Sequence, residues 1–463
     1  MKPISLLLVA ALNVSCLASA QAATRPRYGG SLQMEARGAL TSLDTTTSDS
    51  YADRQALRDR VVNAVCDRLV TLDNAGNPQA SLASAWRSER EGRSWHFTLR
   101  PGVPLHSGSM LSPQLVVTAL SGANPNWHIR MEGGEMLIQS DVPVANMLAQ
   151  LAQSRNAVCI RGDSGQWIGT GPFFIADFQP GKTVQLRAFN DCWRGRPYLD
   201  RIDIEMGKSL SEQVSDLELG RANLVEADPT QPRPQSAAGA SASAPDELLA
   251  LVFFTARPAA QDVKLREAIA KSIDRSAIFQ VLLRRQGEPS ASLLPEWISG
   301  YAHLFNGAQD LAAARQLHAE LTSSAPLSLA YDSPDPVAKL VAERIAVNAR
   351  EAGIVLQPYG EMLAARAPNA DVKLVRMRID SPDAAIALGE VETMLGVGAP
   401  QKTAKELSID AVFQAERETL KSYLVLPIAH VPEAFSFASS LHDWAITPWG
   451  SLRLEDLWIE ATP

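Results

Sequence analysis

Apolar and polar positions along this chain follow two rhythms, and the places where one gives way to the other mark out its elements. Leu32, Met34 and Ala36 share one face of a two-residue repeat, which predicts a first strand over 29–36. Leu57, Val61, Val65 and Leu69 recur every four residues, so a helix with one buried face is expected over 53–69. Alternation returns at Trp95, Phe97 and Leu99, a half-buried strand. Ser112 before Pro113 reads as a helix start, with the serine as cap and the proline in the first turn. A strand over 136–139 and a short helix over 144–151 follow. The stretch 169–204 then reads as a turn and three strands. Gly169 and Gly171 let the backbone turn before Pro172, Phe173 to Phe178 supply strand-forming residues, Pro180-Gly181 punctuates, and Val184, Leu186, Ile202 and Ile204 complete the pattern.

Residues 228–246 are rich in Ala, Ser and Pro and poor in large apolar side chains, so a flexible surface segment is expected there. A buried strand over 248–255 precedes a helix over 261–275, with Val263, Leu265, Ala268, Ile269 and Ile273 inward. An amphipathic helix over 310–321 comes next. A strand over 327–331, a helix over 336–352 stopped by Gly353 and a strand over 354–356 then form a β-α-β unit. A last strand is expected over 422–428, and 452–459 is expected to return to the first lobe.

At 463 residues the chain is too long for one ordinary core and suits two or three lobes. A formal charge of -8 gives no electrostatic reason to expect nucleic acid or an anionic membrane surface as partner, and Arg284-Arg285 reads as solvated surface. Met1-Lys2, the apolar run 4–14 and the small residues 18–23 read as an export signal over 1–23. Lipidation at Cys16 is disfavoured, because Asn13-Val14-Ser15 lacks the leucine expected three places before a lipidated cysteine. No later run reaches the roughly 18 apolar residues of a membrane span.

Export places Cys66, Cys159 and Cys192 in an oxidising compartment, where at most one intrachain pair can form. Cys66 with Cys159 is preferred, since both fall at the edges of one lobe, and the other pairings stay open. The spacings fit no zinc pattern. The sequence holds no Gly-rich phosphate loop with Lys, no H-E-x-x-H and no G-x-S-x-G, so no cofactor and no enzymatic activity are expected. His106 has no second His or Cys near it in sequence and reads as a turn residue.

The order of Gly169-Thr-Gly-Pro-Phe173, Asn190-Asp-Cys-Trp193 and Gly195-Arg-Pro-Tyr-Leu-Asp200 resembles the extracytoplasmic family 5 solute-binding proteins of peptide and nickel ABC importers, which carry G-T-G-P-Y, N-x-x-Y-W and G-x-P-x-L-D. The blocks 66–103 and 248–275 resemble the same family. Phe173 and Cys192 replace usual tyrosines, Thr45 the proline of an L-D-P loop, and Ser107 an aspartate. The resemblance implies an α/β, two-lobed periplasmic binding protein (type II, cluster C-like) with a discontinuous lobe I and an abridged inserted sub-lobe. Lobe I would comprise 24–57, 166–245 and 441–463, the sub-lobe 58–165, and lobe II 246–440. It also implies a peptide-like or other small solute held between the lobes, an ABC permease as partner, ATP hydrolysis on other subunits, a monomer, and a periplasmic location.

By the same resemblance Asp380 stands where peptide-binding relatives pair an aspartate with the ligand's α-ammonium group, and Met377 replaces a tryptophan that lines their cleft. Asp383 at the same turn tip, and Leu40 and Thr41 in the loop leaving the first strand, complete the expected ligand set. An exposed Asx turn at Asp380 is the alternative. The segment 331–336 offers two acids and no base, so a free dipeptide is a less suitable ligand than a longer peptide, a cation or something unrelated. A binding protein uncoupled from transport, acting as envelope sensor, chaperone or scaffold, is the alternative function.

Overall fold

The computed structural model describes residues 25–44, 52–162, 165–228, 231, 237–321, 325–361, 370–396 and 408–460. The expected export signal with Cys16, and Thr45, lie outside the described residues.

Eleven strands form one mixed sheet: β1 (Ser31–Ala36), β2 (Phe173–Gln179), β3 (Thr183–Ala188), β4 (Arg201–Met206), β5 (Leu224–Ala227), β6 (Gly239–Phe253), β7 (Glu288–Pro289), β8 (Leu327–Asp332), β9 (Leu356–Glu361), β10 (Val372–Arg378) and β11 (Val425–Phe437). The order across it is β2-β3-β4-β1-β5-β11-β6-β10-β8-β9, with β7 beside β11. β1 runs parallel to β4 and β5 at one end, and β8 parallel to β9 and β10 at the other. The long antiparallel pair β6 and β11 joins the two halves. Leu426 and Ile428 of β11 lie in the second lobe's core while Phe435 lies in the first lobe's, so one strand serves both.

The first core packs Leu32, Met34, Phe173, Ile202 and Ile204 against Leu57 and Val61 of α1 (Ala52–Val65). Leu452, Leu454 and Leu457 join it from the C-terminal segment, as their apolar pattern predicts. A third core belongs to a four-stranded antiparallel sheet and α2 (Pro113–Ala123), whose start is capped by the Ser112 hydroxyl accepting from Leu115 N–H. All buried members of that core, from Leu69 to Val158, lie between Cys66 and Cys159. These two cysteines form a disulfide with their Cα atoms 5.5 Å apart, so it closes the neck of the inserted unit.

Several expected elements are corrected. Within 228–246, residues 239–246 are not a surface segment but the start of β6, with Ala240 opposite Ser436 and Ala242 opposite Ala434. Small side chains suit this position, because a Cβ on Gly239 would collide with the Phe437 ring. Backbone pairing, not side-chain hydrophobicity, holds the strand there. Helix α1 ends at Val65, four residues early. Val263 opens the helix Val263–Ser272 and is 47 % exposed, because the first turn overhangs the core. The strand expected at 354–356 begins at Leu356, and that expected at 422–428 runs from Val425 through Phe437.

Gly169 and Gly171 also act for a reason other than the expected one. Neither has a positive φ. A Cβ on Gly171 would come within 2.6 Å of the Ala64 carbonyl oxygen, and one on Gly169 would strike the Val65 carbonyl. The glycines let this turn lie flat on the last turn of α1.

Candidate functional site

The turn at Gly169 is fastened from two sides. His106 Nδ1 accepts from Gly169 N–H at 3.2 Å while its Nε2 lies 3.0 Å from the Gly171 carbonyl, which fixes the proton on Nε2. Burial holds the imidazole pKa below its ordinary value, so His106 is a neutral structural clamp. From the other side, Asp67 accepts from the Thr170 hydroxyl and from Trp193 Nε1, both at 2.8 Å, and pairs with Arg194 at 2.9 Å. These contacts fix the wall of a cavity of about 700 Å³.

That cavity lies among the end of α1, the inserted unit, the C-terminal segment and the turn after β10. Asp59, Asp67, Gln153, Arg378, Asp380 and Trp449 are among its lining. Arg376 and Arg378 alternate with Met377 along β10, so the two arginines share one face and the methionine takes the other. Arg378 donates to Asp59 Oδ2 at 3.0 Å and to the Trp449 carbonyl at 2.9 Å. Arg376 pairs with Glu247 at 2.5 Å and with Asp335 at 3.3 Å. Next to Asp59 on α1, Arg60 pairs with Glu433 and lies 3.8 Å from Glu226. A column of buried charges thus runs along the junction of the two lobes.

The acids of this column do not all ionise alike. Burial, then the neighbouring Asp380, pushes the Asp59 carboxyl up to about 6 against the pull of Arg378. Burial, with Glu433 and Glu247, drives Asp246 well above the carboxylate range. Glu433 goes the other way: burial alone would raise it, but Arg60 and Arg378 hold it low. Burial would likewise lower Arg378, and the facing carboxylates of Glu433, Asp59 and Asp246 keep it above its ordinary value. Gly450 leaves room for this group, since a Cβ there would collide with Asp246 and stand 3.1 Å from Glu433 Oε2.

Of the five expected ligand residues, Asp380 lines the cavity; its Oδ1 is buried, and the carboxyl of Glu390, pushed well above its ordinary range by burial and by Asp380, shares a hydrogen bond with the Asp380 carboxyl. Asp383 caps α3 (Ala384–Met394), accepting from Ala385 and Ile386 N–H at 3.1 and 3.0 Å, and takes a 3.3 Å bond from Asn146 of the inserted unit. It lines a smaller neighbouring cavity. Met377 is 2 % exposed and packs with Leu248 and Leu388 on the far side of β10. Leu40 is buried in the first lobe's core and Thr41 is exposed. Trp444 stacks on Phe437, whereas Trp449 does reach the cavity.

Sequence reasoning missed Asp59, Arg60, Arg376 and Arg378. Two arginines spaced i, i+2 on a strand whose intervening residue is apolar were the available signal for the last pair. They also change the reading of 331–336, which has no base of its own but receives Arg376 from a neighbouring strand at Asp335. Among the described residues no group of three His, Cys, Asp or Glu is placed to hold a metal ion.

The fold has counterparts among known proteins. A dipeptide-binding protein from Pseudoalteromonas sp. SM9913, solved with Met-Leu, superposes with a TM-score of 0.79 over 93% of this chain and 100% of its own, at 17% identity. NikA from Staphylococcus aureus, solved with Ni(L-His)2, gives 0.77 at 17% identity, again over 93% and 100%. These likenesses establish the two-lobed periplasmic binding protein fold. In sequence, the probable di/tripeptide-binding protein 5 of Pseudomonas aeruginosa (strain UCBPP-PA14) is 24% identical over 415 residues, 76% of this chain and 77% of the relative. The model of the bacterial extracellular solute-binding proteins, family 5 Middle, matches residues 139–385, more than half of the chain. With its cleft between two lobes and its matching central segment, the chain belongs to family 5 of the bacterial extracellular solute-binding proteins.

Proposed function

We propose that this receptor takes a peptide-like or other small solute bearing an ammonium group, held by Asp380 in the 700 Å³ cavity, and delivers it to an ABC permease. The observation that carries the reading is the buried Asp380 carboxyl on the cavity wall, next to the carboxyls of Asp59 and Glu390, an acidic cluster that an ammonium group would answer. A carboxylate oxygen removed from water costs free energy until a donor reaches it, and an ammonium group supplies both donor and opposite charge. Ligand binding shifts an open-to-closed balance of the lobes only by its differential affinity for the two forms, and the closed form docks on the permease. Such a closure would pivot on β6 and β11, the long strands that join the two halves of the sheet. The chain acts as an exported monomer without a lipid at Cys16 and without catalytic turnover of its solute.

Calorimetric titration of the protein with Ala-Ala-Ala and with its N-acetyl derivative tests the anchor. A hydrogen bond to a charged group contributes about 1.5 to 3 kcal/mol, so the free peptide should bind about 10- to 150-fold more tightly, and Asp380→Asn should erase that difference. Equal affinity of Asp380→Asn and the parent for the free peptide refutes the ammonium site.

A further inference from the structure

Among the described residues four arginines line the cavity that holds Asp380, and three of them face carboxylates of this chain. Arg378 pairs with Asp59, Arg194 with Asp67, and Arg453 with Asp456 at 3.0 Å. Arg68 differs. It stands on the neck of the inserted unit just past Cys66, where the Asp67 carbonyl accepts from Val158 N–H and the Arg68 carbonyl from Leu82 N–H. Its guanidinium donates from Nη1 to the Ala152 carbonyl at 2.7 Å and has no carboxylate in direct contact among the described residues.

The acids around it are committed elsewhere. Asp67 answers Thr170, Trp193 and Arg194, and Asp59 answers Arg378. Asp73, on the same wall, accepts from Ala75, Asn77 and Gln79 of its own loop. Burial therefore lowers the Arg68 pKa against the pull of Asp67 and Asp59. A guanidinium withdrawn from water without a counter-charge is costly, and its remaining N–H groups form a planar fork that matches a carboxylate. The bond to Ala152 and the pinned backbone hold this fork in place before any solute arrives. The acidic end is close by, since Gln153, next to Ala152, donates to Glu390 beside Asp380.

We propose that Arg68 receives a carboxylate of the solute, so that the cavity selects a small zwitterion with its ammonium group at Asp380 and its carboxylate in the Arg68 fork. This assignment rests on the ammonium reading above and adds an opposite pole to it. It places on the inserted unit the base that 331–336 lacks, whereas Arg376 beside that segment is taken by Glu247 and Asp335. A free carboxyl terminus then favours binding, contrary to the expectation from that segment alone.

Calorimetric titration of the intact protein with Ala-Ala-Ala and with its C-terminal amide tests this pole. The free acid should bind the parent about 10- to 150-fold more tightly than the amide, the range of a hydrogen bond to a charged group. Arg68→Gln should lose that preference by weakening the acid alone, and Arg68→Lys, which keeps the charge without the fork, should retain part of it. An arginine that only braced the neck would weaken acid and amide alike and leave their ratio at the parent value. Equal affinity of the parent for acid and amide, a parent-like ratio in Arg68→Gln, or no binding of the acid overturns the proposal. If Arg68→Gln does not fold, a parent-like ratio in Arg68→Lys overturns it. Failure of the ammonium site reads out separately, as a parent that binds Ala-Ala-Ala and its N-acetyl derivative equally while still preferring acid to amide.

Discussion

Breaking the Cys66–Cys159 disulfide with paired serine substitutions should loosen the inserted unit first. The bond joins residues 93 apart in sequence, and the whole of the third core lies within the loop it closes. In the chain-entropy account, a loop of this length lowers the freedom of the unfolded chain by about 4.6 kcal/mol at 25 °C. With a urea dependence of about 1.5 kcal/mol per molar, typical of a unit of this size, that predicts a midpoint about 3 M lower for the inserted unit. A chain with several cores need not unfold in one step, so the measurement has to be local. Hydrogen exchange on the parent and on Cys66→Ser/Cys159→Ser, across a urea series, reads the units separately. Trp95, Phe97 and Ile138 amides should lose protection while those of Leu249 in β6 and Ile428 in β11 keep it. A shift under about 1 M, or equal loss in the inserted unit and the central sheet, would refute the view that the bond acts on the neck of this unit.

Replacing His106 by phenylalanine leaves Gly169 N–H and Gly171 C=O without their partners, and at about 1 to 3 kcal/mol for each buried group the fold should lose about 2 to 6 kcal/mol in denaturant titration. A loss under about 0.5 kcal/mol would mean that the clamp is dispensable. Glu35 gives a pH signature: burial, opposed chiefly by Lys208 at 3.4 Å, pushes its carboxyl from 4.5 up to about 7. The native state then holds this proton more tightly than the unfolded state, so the group's contribution is fully present below about pH 4.5 and is lost as pH rises through 7. Glu35→Gln should therefore gain melting temperature relative to the parent between pH 5 and pH 8, and a relative loss over that window contradicts the assignment.

Elements whose stabilisation is local in sequence were legible before any coordinates. The spacing of Leu57, Val61 and Val65, the alternation of Trp95 and Phe97, and the Ser112-Pro113 start each report a face or a cap made within a few residues. Such patterns failed where the partner is distant. The Ala and Ser of 239–246 carry no hydrophobic signal because β11 holds them by backbone hydrogen bonds, almost two hundred positions away in sequence. Asp380 could be aligned by resemblance, whereas the burial of its Oδ1 depends on how the lobes meet.

By itself the sequence determined the locally patterned elements and the family, because burial periodicity and turn chemistry are written along the chain. The tertiary structure alone decided that Met377 is core while Arg376 and Arg378 face the cleft, and that Asp59 and Arg60 on α1 meet Arg378 and Glu433 more than 300 positions later. It also divided the space between the lobes into separate cavities. Charge pairing and cavity shape depend on distances between elements that the chain brings together only by folding, so no local pattern encodes them.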